Sequence, residues 1–287
     1  MEKLKKYLPY FLILIIFTVA IYVWFAVLSN KNPKMLKVAF LDVGQGDAIY
    51  IETPNKKQVL IDGGKDSKLI YSLSKVMPFG DRSIDLLIIT HRDMDHVGGL
   101  PILLEGYHVD RVIDNGAKGE TEVSNSIDEK INKRSIKKEI AKDNLRIVLD
   151  VKRNIYLDII YPNKDVSRLE SNEGSIVAKL VYGENSFLFT GDAGVYAENM
   201  IMWEEDEEDL NIDVLKLGHH GARSATSLLW LERTTPEVAI VSAGKNNSYG
   251  HPHKEVLERL ESLKIPILST IDSGTILIKS DGQKLIY

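Results

Sequence analysis

Apolar positions along this chain follow two patterns. Residues 7–29 form a nearly unbroken apolar and aromatic run, long enough to cross a bilayer as a helix. Beyond it the chain changes to short apolar runs closed by Asp, Asn, Gly or Pro, the pattern of buried strands joined by tight turns. Residues 36–42, 48–52 and 58–62 predict an antiparallel meander. A helix follows at 67–76 and a strand at 86–89, then a helix begins at Leu100 and another strand runs over 109–113. Residues 124–142 are polar and predict one long helix with a basic stripe, read as a solvated face because acidic residues are interleaved. Strands at 146–149 and 155–161 precede a hairpin, 176–182 and 186–190, turned by Gly183-Glu184-Asn185. The acidic run 204–209 closes a helix. Strands at 212–217 and 238–242, helices at 224–232 and 255–263, and strands at 275–278 and 284–287 complete the pattern. Two β-rich halves, each with helices, predict two sheets packed face to face with helices outside. The expected organisation is a membrane anchor and linker over 1–35 and one α/β domain over 36–287.

The flanks of the apolar run bear on orientation. Lys3, Lys5 and Lys6 precede it and Lys31 and Lys34 follow, an asymmetry that favours a cytoplasmic N-terminus and an extracytoplasmic domain. A cleaved signal peptide, giving a secreted form, is the competing reading. Its apolar core spans only about 7–15 residues, so an uncleaved, single-pass anchor in the cell membrane is preferred. Without residues 1–35 the chain carries 31 basic against 40 acidic side chains, a net charge of −9. Polyanion binding must then be local, for example through a groove built from Lys56, Lys57, Lys65, Arg92, Lys216, Arg223 or Lys245.

There is no cysteine, which excludes disulfides, thiolate metal sites and cysteine nucleophiles. Chemistry concentrates instead in Thr90-His91-Arg92-Asp93-Met94-Asp95-His96-Val97-Gly98-Gly99, directly after the strand at 86–89. His91, Asp93, Asp95 and His96 are four potential ligands within six residues. Divalent cations would satisfy such a cluster at once; a solvated polar loop is the bland alternative. Asp192 stands at the far end of the hairpin, and His219-His220 lie between Gly218 and Gly221 at another strand end. Asp42, Asp47 and Asp62 read as turn-stabilising carboxylates behind the site rather than as ligands, since aspartate readily bonds its own turn. His108 reads as a bystander.

The ordered set Asp42-Val43-Gly44-Gln45-Gly46-Asp47, Ile61-Asp62-Gly63-Gly64, the His91–His96 motif, Thr190-Gly191-Asp192, His219-His220-Gly221 and Asn247-Ser248-Tyr249-Gly250-His251-Pro252 resembles the metallo-β-lactamase fold. More narrowly, it resembles the soluble hydrolase domain of the ComEC competence protein family, over residues 36–287. The resemblance implies an αββα four-layer sandwich with a metal site on one edge, and hydrolysis of DNA during uptake. Two departures matter. A single apolar segment stands where that family has a many-helix channel, so a free-standing anchored hydrolase is expected. Asp93 occupies the place of the second histidine of the usual His-x-His-x-Asp-His motif, and no later histidine completes the first metal's shell, with Asn172 and Ser175 near its expected place.

On this resemblance two divalent ions are expected, zinc or manganese, with magnesium admissible for an oxygen-rich shell. His91 and Asp93 are assigned to one ion and Asp95 and His96 to the other. Asp192 bridges them, and His219 or His220 completes the second, His219 being favoured because it leaves the strand first. Ions about 3.5–4 Å apart generate a hydroxide nucleophile near neutral pH and stabilise a phosphoryl transition state; Asp95 would orient that nucleophile. His251, Asn172 and Ser175 are candidates for substrate binding, with His251 equally readable as fixing its loop through Asn247 and Tyr249. The leading expectation is a phosphodiesterase or nuclease acting on DNA. A hydrolase of a small ester, lactone or phosphocholine-type substrate is the first alternative, because the fold serves several chemistries. A non-catalytic DNA-binding module with a degenerate site is the second.

Overall fold

The computed structural model describes residues 2–29, 35–119 and 121–287. The expected linker at 30–35 lies, apart from Met35, outside the described residues. The chain divides into two units, one up to Met35 and the other Leu36–Tyr287. The first holds the helix Glu2–Ser29, whose segment Tyr7–Phe25 is long and apolar enough to span a membrane. The Thr18 hydroxyl donates to the Leu14 carbonyl at 2.7 Å, so its polar group is satisfied within the helix.

The second unit contains strands β1 (Leu36–Phe40), β2 (Ile49–Glu52), β3 (Gln58–Ile61), β4 (Ser83–Ile89), β5 (His108–Asp114), β6 (Lys137–Ile140), β7 (Leu145–Asp150), β8 (Ile155–Tyr161), β9 (Val177–Tyr182), β10 (Asn185–Phe189), β11 (Val214–Lys216), β12 (Val238–Val241), β13 (Ile267–Ser269), β14 (Ile276–Ser280) and β15 (Leu285–Ile286). One sheet runs β15-β14-β1-β2-β3-β4-β5-β6 and the other β13-β12-β11-β10-β9-β8-β7. β1–β3 form the expected antiparallel meander, whereas β3 to β6 are parallel.

Most of these strands are apolar on both faces because both faces are covered. Phe40, Ile51, Ile88, Phe187, Phe189 and Ile240 belong to the core between the sheets. The outer face of the first sheet, with Leu60 and Leu87, packs under Leu69, Leu103 and Ile127 from helices Lys68–Ser74, Leu100–Gly106 and Glu122–Lys133. The outer face of the second, with Leu188 and Ala239, packs under Ile201, Trp230 and Leu260 from helices Val195–Glu204, Leu228–Thr234 and Lys254–Ser262. The result is the four-layer αββα sandwich of the metallo-β-lactamase fold.

The predicted long helix over 124–142 is corrected. It starts with Thr121 capping the amide of Ser124 and ends at Lys133. Ser135 then adopts a left-handed φ of 52°, and the chain turns into the edge strand β6. The helix expected over 224–232 is shifted to Leu228–Thr234, capped by Ser227 on the amide of Trp230.

Candidate metal centre

The site lies where loops of both sheets meet at one edge of the sandwich. The β4 strand ends at Ile89, and the turn Met94–Val97 projects His91, Asp93, Asp95 and His96 from a single loop. Its backbone is tied to neighbouring loops: the Asp47 amide donates to the Asp95 carbonyl at 3.2 Å and the Gly63 amide to the His96 carbonyl at 2.6 Å. A Cβ at Gly46 would lie 1.9 Å from the Asp95 carbonyl oxygen, so this approach requires glycine. Across the edge, the Ile176 amide donates to the Thr90 carbonyl at 3.0 Å and the His219 amide to the Gly191 carbonyl at 3.1 Å.

Ligand-type atoms collect around the two oxygens of Asp192, itself buried. Near Oδ1 stand His96 Nε2 at 3.1 Å and His220 Nε2 at 3.5 Å, and His220 Nε2 is also 3.3 Å from Asp95 Oδ2. Near Oδ2 stand His219 Nε2 at 3.7 Å and His91 Nε2 at 3.9 Å, and His91 Nε2 is 3.7 Å from Asp93 Oδ2. Two donors sharing one ion at bond lengths of about 2.0–2.2 Å are themselves about 3.0–3.5 Å apart, close to these spacings. Asp47, His96, Asp192 and His220 each bring a donor atom within 4.8 Å of the others. His91 Nε2, His96 Nε2, His220 Nε2 and Asp192 Oδ1 are buried without a hydrogen bond. Such orphaned groups are costly, and a cation is the partner this donor set fits.

The outer nitrogens fix the tautomers. Asp62 accepts from the Thr90 amide at 2.8 Å and from the Thr90 hydroxyl at 2.6 Å. With its one proton committed there, the hydroxyl must accept from His91 Nδ1, 3.0 Å away. Asp62 also accepts from His96 Nδ1 at 2.8 Å, and the Ser242 carbonyl from His220 Nδ1 at 2.9 Å. Every one of these imidazoles therefore turns an Nε2 lone pair inward, the arrangement that orients metal-binding histidines.

Electrostatics follow the same layout. Burial and the neighbouring His96 charge push His91 down to about 4. Burial opposes protonation of His96 and His220 too, but the Asp192 and Asp62 carboxylates raise His96 well above its ordinary value, and Asp192 and Asp47 lift His220 to about 9. For Asp192 and Asp95 the imidazoles outweigh burial and hold both carboxyls below the usual range. Cations and protons compete for these same lone pairs.

Several sequence expectations change. His220, not the favoured His219, stands beside Asp95 and His96. Both residues have left-handed backbones, φ 47° and 56°, a conformation that costs each about 1–3 kcal/mol, and the turn sends their rings to opposite oxygens of Asp192. Gly218 permits it, since a Cβ there would meet the Ala193 carbonyl at 2.6 Å. Asp62 is not a carboxylate serving its own turn; it organises Thr90 and His96. Asp47 pairs with the fully buried Lys216 at 2.7 Å and faces His220 Nδ1 at 3.4 Å; neither tie is visible in a local Asp-Gly pattern. Asp42 does bond its turn, accepting from the Gly44 amide at 3.1 Å.

Of the three substrate-binding candidates, Ser175 is fully buried, its hydroxyl 3.1 Å from His91 Nδ1 and accepting from the Asp192 amide at 3.2 Å. It sits behind the ligand groups, closed off from a substrate. Asn172 is half-buried, 3.5 Å from His219 Nδ1, and His251 meets the His219 ring edge-on and lies tilted to that of His220, 5.4 and 6.1 Å between ring centres. His108 is exposed and paired with Asp110, a bystander as expected. The basic groove is largely dismantled. Lys56 and Lys57, though exposed, pair with Glu52 and Asp85, and the buried Lys216 and Arg92 pair with Asp47 and with Asp114 and Asp128; Lys65, Arg223 and Lys245 are the other exposed members of the set.

The sandwich and its edge cluster define the class: the chain belongs to the metallo-beta-lactamase superfamily, whose profile matches residues 41–245, and its buried Asp/His cluster fits a metal site of that superfamily. Among curated proteins it is 33% identical over 260 residues to ComE operon protein 3 of Bacillus subtilis, covering 84% of this chain and 32% of that protein. It is 30% identical over 288 aligned positions to Recombination protein 2 of Haemophilus influenzae, covering 96% and 32%. Both relatives are ComEC-family competence proteins, and this chain spans about a third of their length. The metallo hydrolase Igni18 of Ignicoccus hospitalis shares the fold, with a TM-score of 0.54 at 16% identity over 85% of this chain and 98% of that one.

Proposed function

We propose that residues 36–287 form a two-metal phosphodiesterase acting on DNA. The observation that carries this reading is the division of six ligand-type side chains about the two oxygens of one buried aspartate. His91, Asp93 and His219 would hold one ion with Asp192 Oδ2, and Asp95, His96 and His220 the other with Oδ1. Four imidazoles and three carboxylates, with four oxygen or nitrogen donors to each ion, suit zinc or manganese and admit magnesium. When bound, such a pair supplies an acidified water and positive charge at the phosphoryl oxygens.

The chain's own residues would do the rest. Asp95 Oδ2 faces His220, leaving Oδ1 to accept a hydrogen bond from the attacking water and orient it. His251 is kept neutral, down to about 4, by burial and the nearby His220 and His219 charges, and its Nδ1 is buried without a partner; it would bind a phosphoryl oxygen. Asn172 would steady His219 from the rim. DNA as the substrate is supported by the names of two relatives, Recombination protein 2 of Haemophilus influenzae and Competence protein ComA of Neisseria gonorrhoeae, and a membrane anchor at Tyr7–Phe25 would hold the domain at the outer face.

The test is to incubate the full chain, chelated and then reloaded with Mn²⁺, Zn²⁺ or Mg²⁺, with single-stranded DNA, duplex DNA, a lactone and a phosphocholine ester. Cleavage of DNA that depends on added metal is expected. Turnover of the lactone or phosphocholine ester with intact DNA under every metal would replace this reading with that of a small-ester hydrolase.

A further inference from the structure

Resting on the phosphodiesterase reading above, we infer that Tyr249 is a stacking platform for an unpaired nucleobase next to the scissile phosphate. Exposed tyrosines are ordinary on protein surfaces, but this one is held in a distinctive way. Its side chain is 61% exposed, yet its ring lies stacked on the His251 ring at 5.6 Å and 21°. His251 is itself 8% exposed and in ring contact with His219 and His220. The phenol thus stands one imidazole away from the ligand cluster, its ring against His251 and most of its surface in solvent.

The loop that carries it is preorganised. Asn247 Nδ2 donates to the Gly244 carbonyl at 3.0 Å and to the His251 carbonyl at 2.7 Å, while Asn247 Oδ1 accepts from the His251 amide at 2.9 Å. Gly244 is anchored in turn, its amide donating to Gln45 Oε1 at 3.2 Å. A rigid aromatic loses little conformational entropy when a planar ligand lands on it. Two other exposed tyrosines of this domain differ: Tyr71 lies under Lys75 and Tyr196 under Lys164, both with a cation already over the ring.

Charge points to the same ligand. Lys56, Lys57, Lys216 and Arg92 are committed to carboxylates, so phosphate contacts alone give weak binding to this acidic domain. Near the platform, His253 lies 4.9 Å from the His251 ring and accepts from the Arg223 amide at 3.1 Å, which places Arg223 beside the loop; Lys245 is exposed on it. A few cations beside an aromatic face is how strands are bound without reading their sequence. Bases in a duplex already stack on each other, so the platform selects an unpaired one.

The test compares a short single-stranded oligonucleotide with the same sugar-phosphate chain made abasic, using the full chain in detergent. In the wild-type protein kcat/KM should fall about ten- to a hundredfold on the abasic strand. Tyr249→Ala should bring that ratio to about one, and Tyr249→Trp should restore it. Equal cleavage of both strands by the wild-type protein, or an unchanged ratio in Tyr249→Ala, overturns the platform while leaving the phosphodiesterase reading intact. If neither strand is cleaved, that earlier reading fails instead, and the platform is decided by the same ratio measured as equilibrium binding, by fluorescence anisotropy of the labelled strands.

Discussion

The two sheets contribute to the site in opposite ways. The first delivers His91, Asp93, Asp95 and His96 from one loop, steadied from behind by Asp62 and Thr90 of the same sheet. The second delivers Asp192, the His219-His220 pair and His251 from three separate loops, steadied by Ser175 and by the Ser242 carbonyl. One half is assembled by chain connectivity and the other by tertiary packing. Asp192 is where they meet, because its two oxygens face imidazoles from both halves.

The largest effect should come from breaking that meeting point. Asp192→Ala removes a group shared by both proposed ions, and losing several kcal/mol of charge stabilisation lowers kcat/KM on the order of a thousandfold. Elemental analysis should show the ions lost together; a variant that keeps two per chain would refute the shared role. A smaller contrast sets the supports of the two halves against each other. Asp62→Asn weakens an acceptor of three hydrogen bonds and should lower metal affinity about 10–100-fold. Ser175→Ala should cost less than about tenfold, because Thr90 still holds His91 Nδ1. Metal titration that ranked them in reverse would place the organising shell in the second sheet.

The smallest effect lies in the first sheet, away from the site. Lys56 and Lys37 outweigh burial and hold the Glu52 carboxyl below its ordinary 4.5. A depressed folded pKa adds stability above pH 4.5 that is lost as pH falls through the folded value. Glu52→Gln should therefore cost about 0.5–1 kcal/mol at neutral pH, a deficit that vanishes in acid. Urea midpoints across pH would show it, with metal content unchanged.

Much of this was legible in the sequence for a physical reason. Strands buried on both faces read as continuous apolar runs, as in Leu86-Leu87-Ile88-Ile89, and the sandwich follows from them. Strand β6 was hidden because an edge strand with solvent on most of its length, Lys137-Lys138-Glu139-Ile140, carries no such run. The motif loop was legible by its density of ligand types. The division of labour between His219 and His220 was not, since it depends on two left-handed residues in one turn. The place of Asp62 behind the site was legible, but the partners of Asp47 and Asp62 were not, since Lys216, Thr90 and His96 lie far along the chain. Tyr249 was legible only as part of the Asn247–Pro252 motif; its ring contact with His251 is what the structure adds.

The pairing of β1 with β14 has a consequence for how the protein is made. Leu36 sits opposite Ser280, so one of the earliest strands to emerge waits for one of the latest. At about 5–20 residues per second, β1 is exposed along one side for roughly 10–50 s of synthesis. During that interval its unpaired amides and carbonyls are a template for any other extended chain. The first sheet therefore cannot close before β14 has been made, and until then Leu36–Phe40 is one of its open edges.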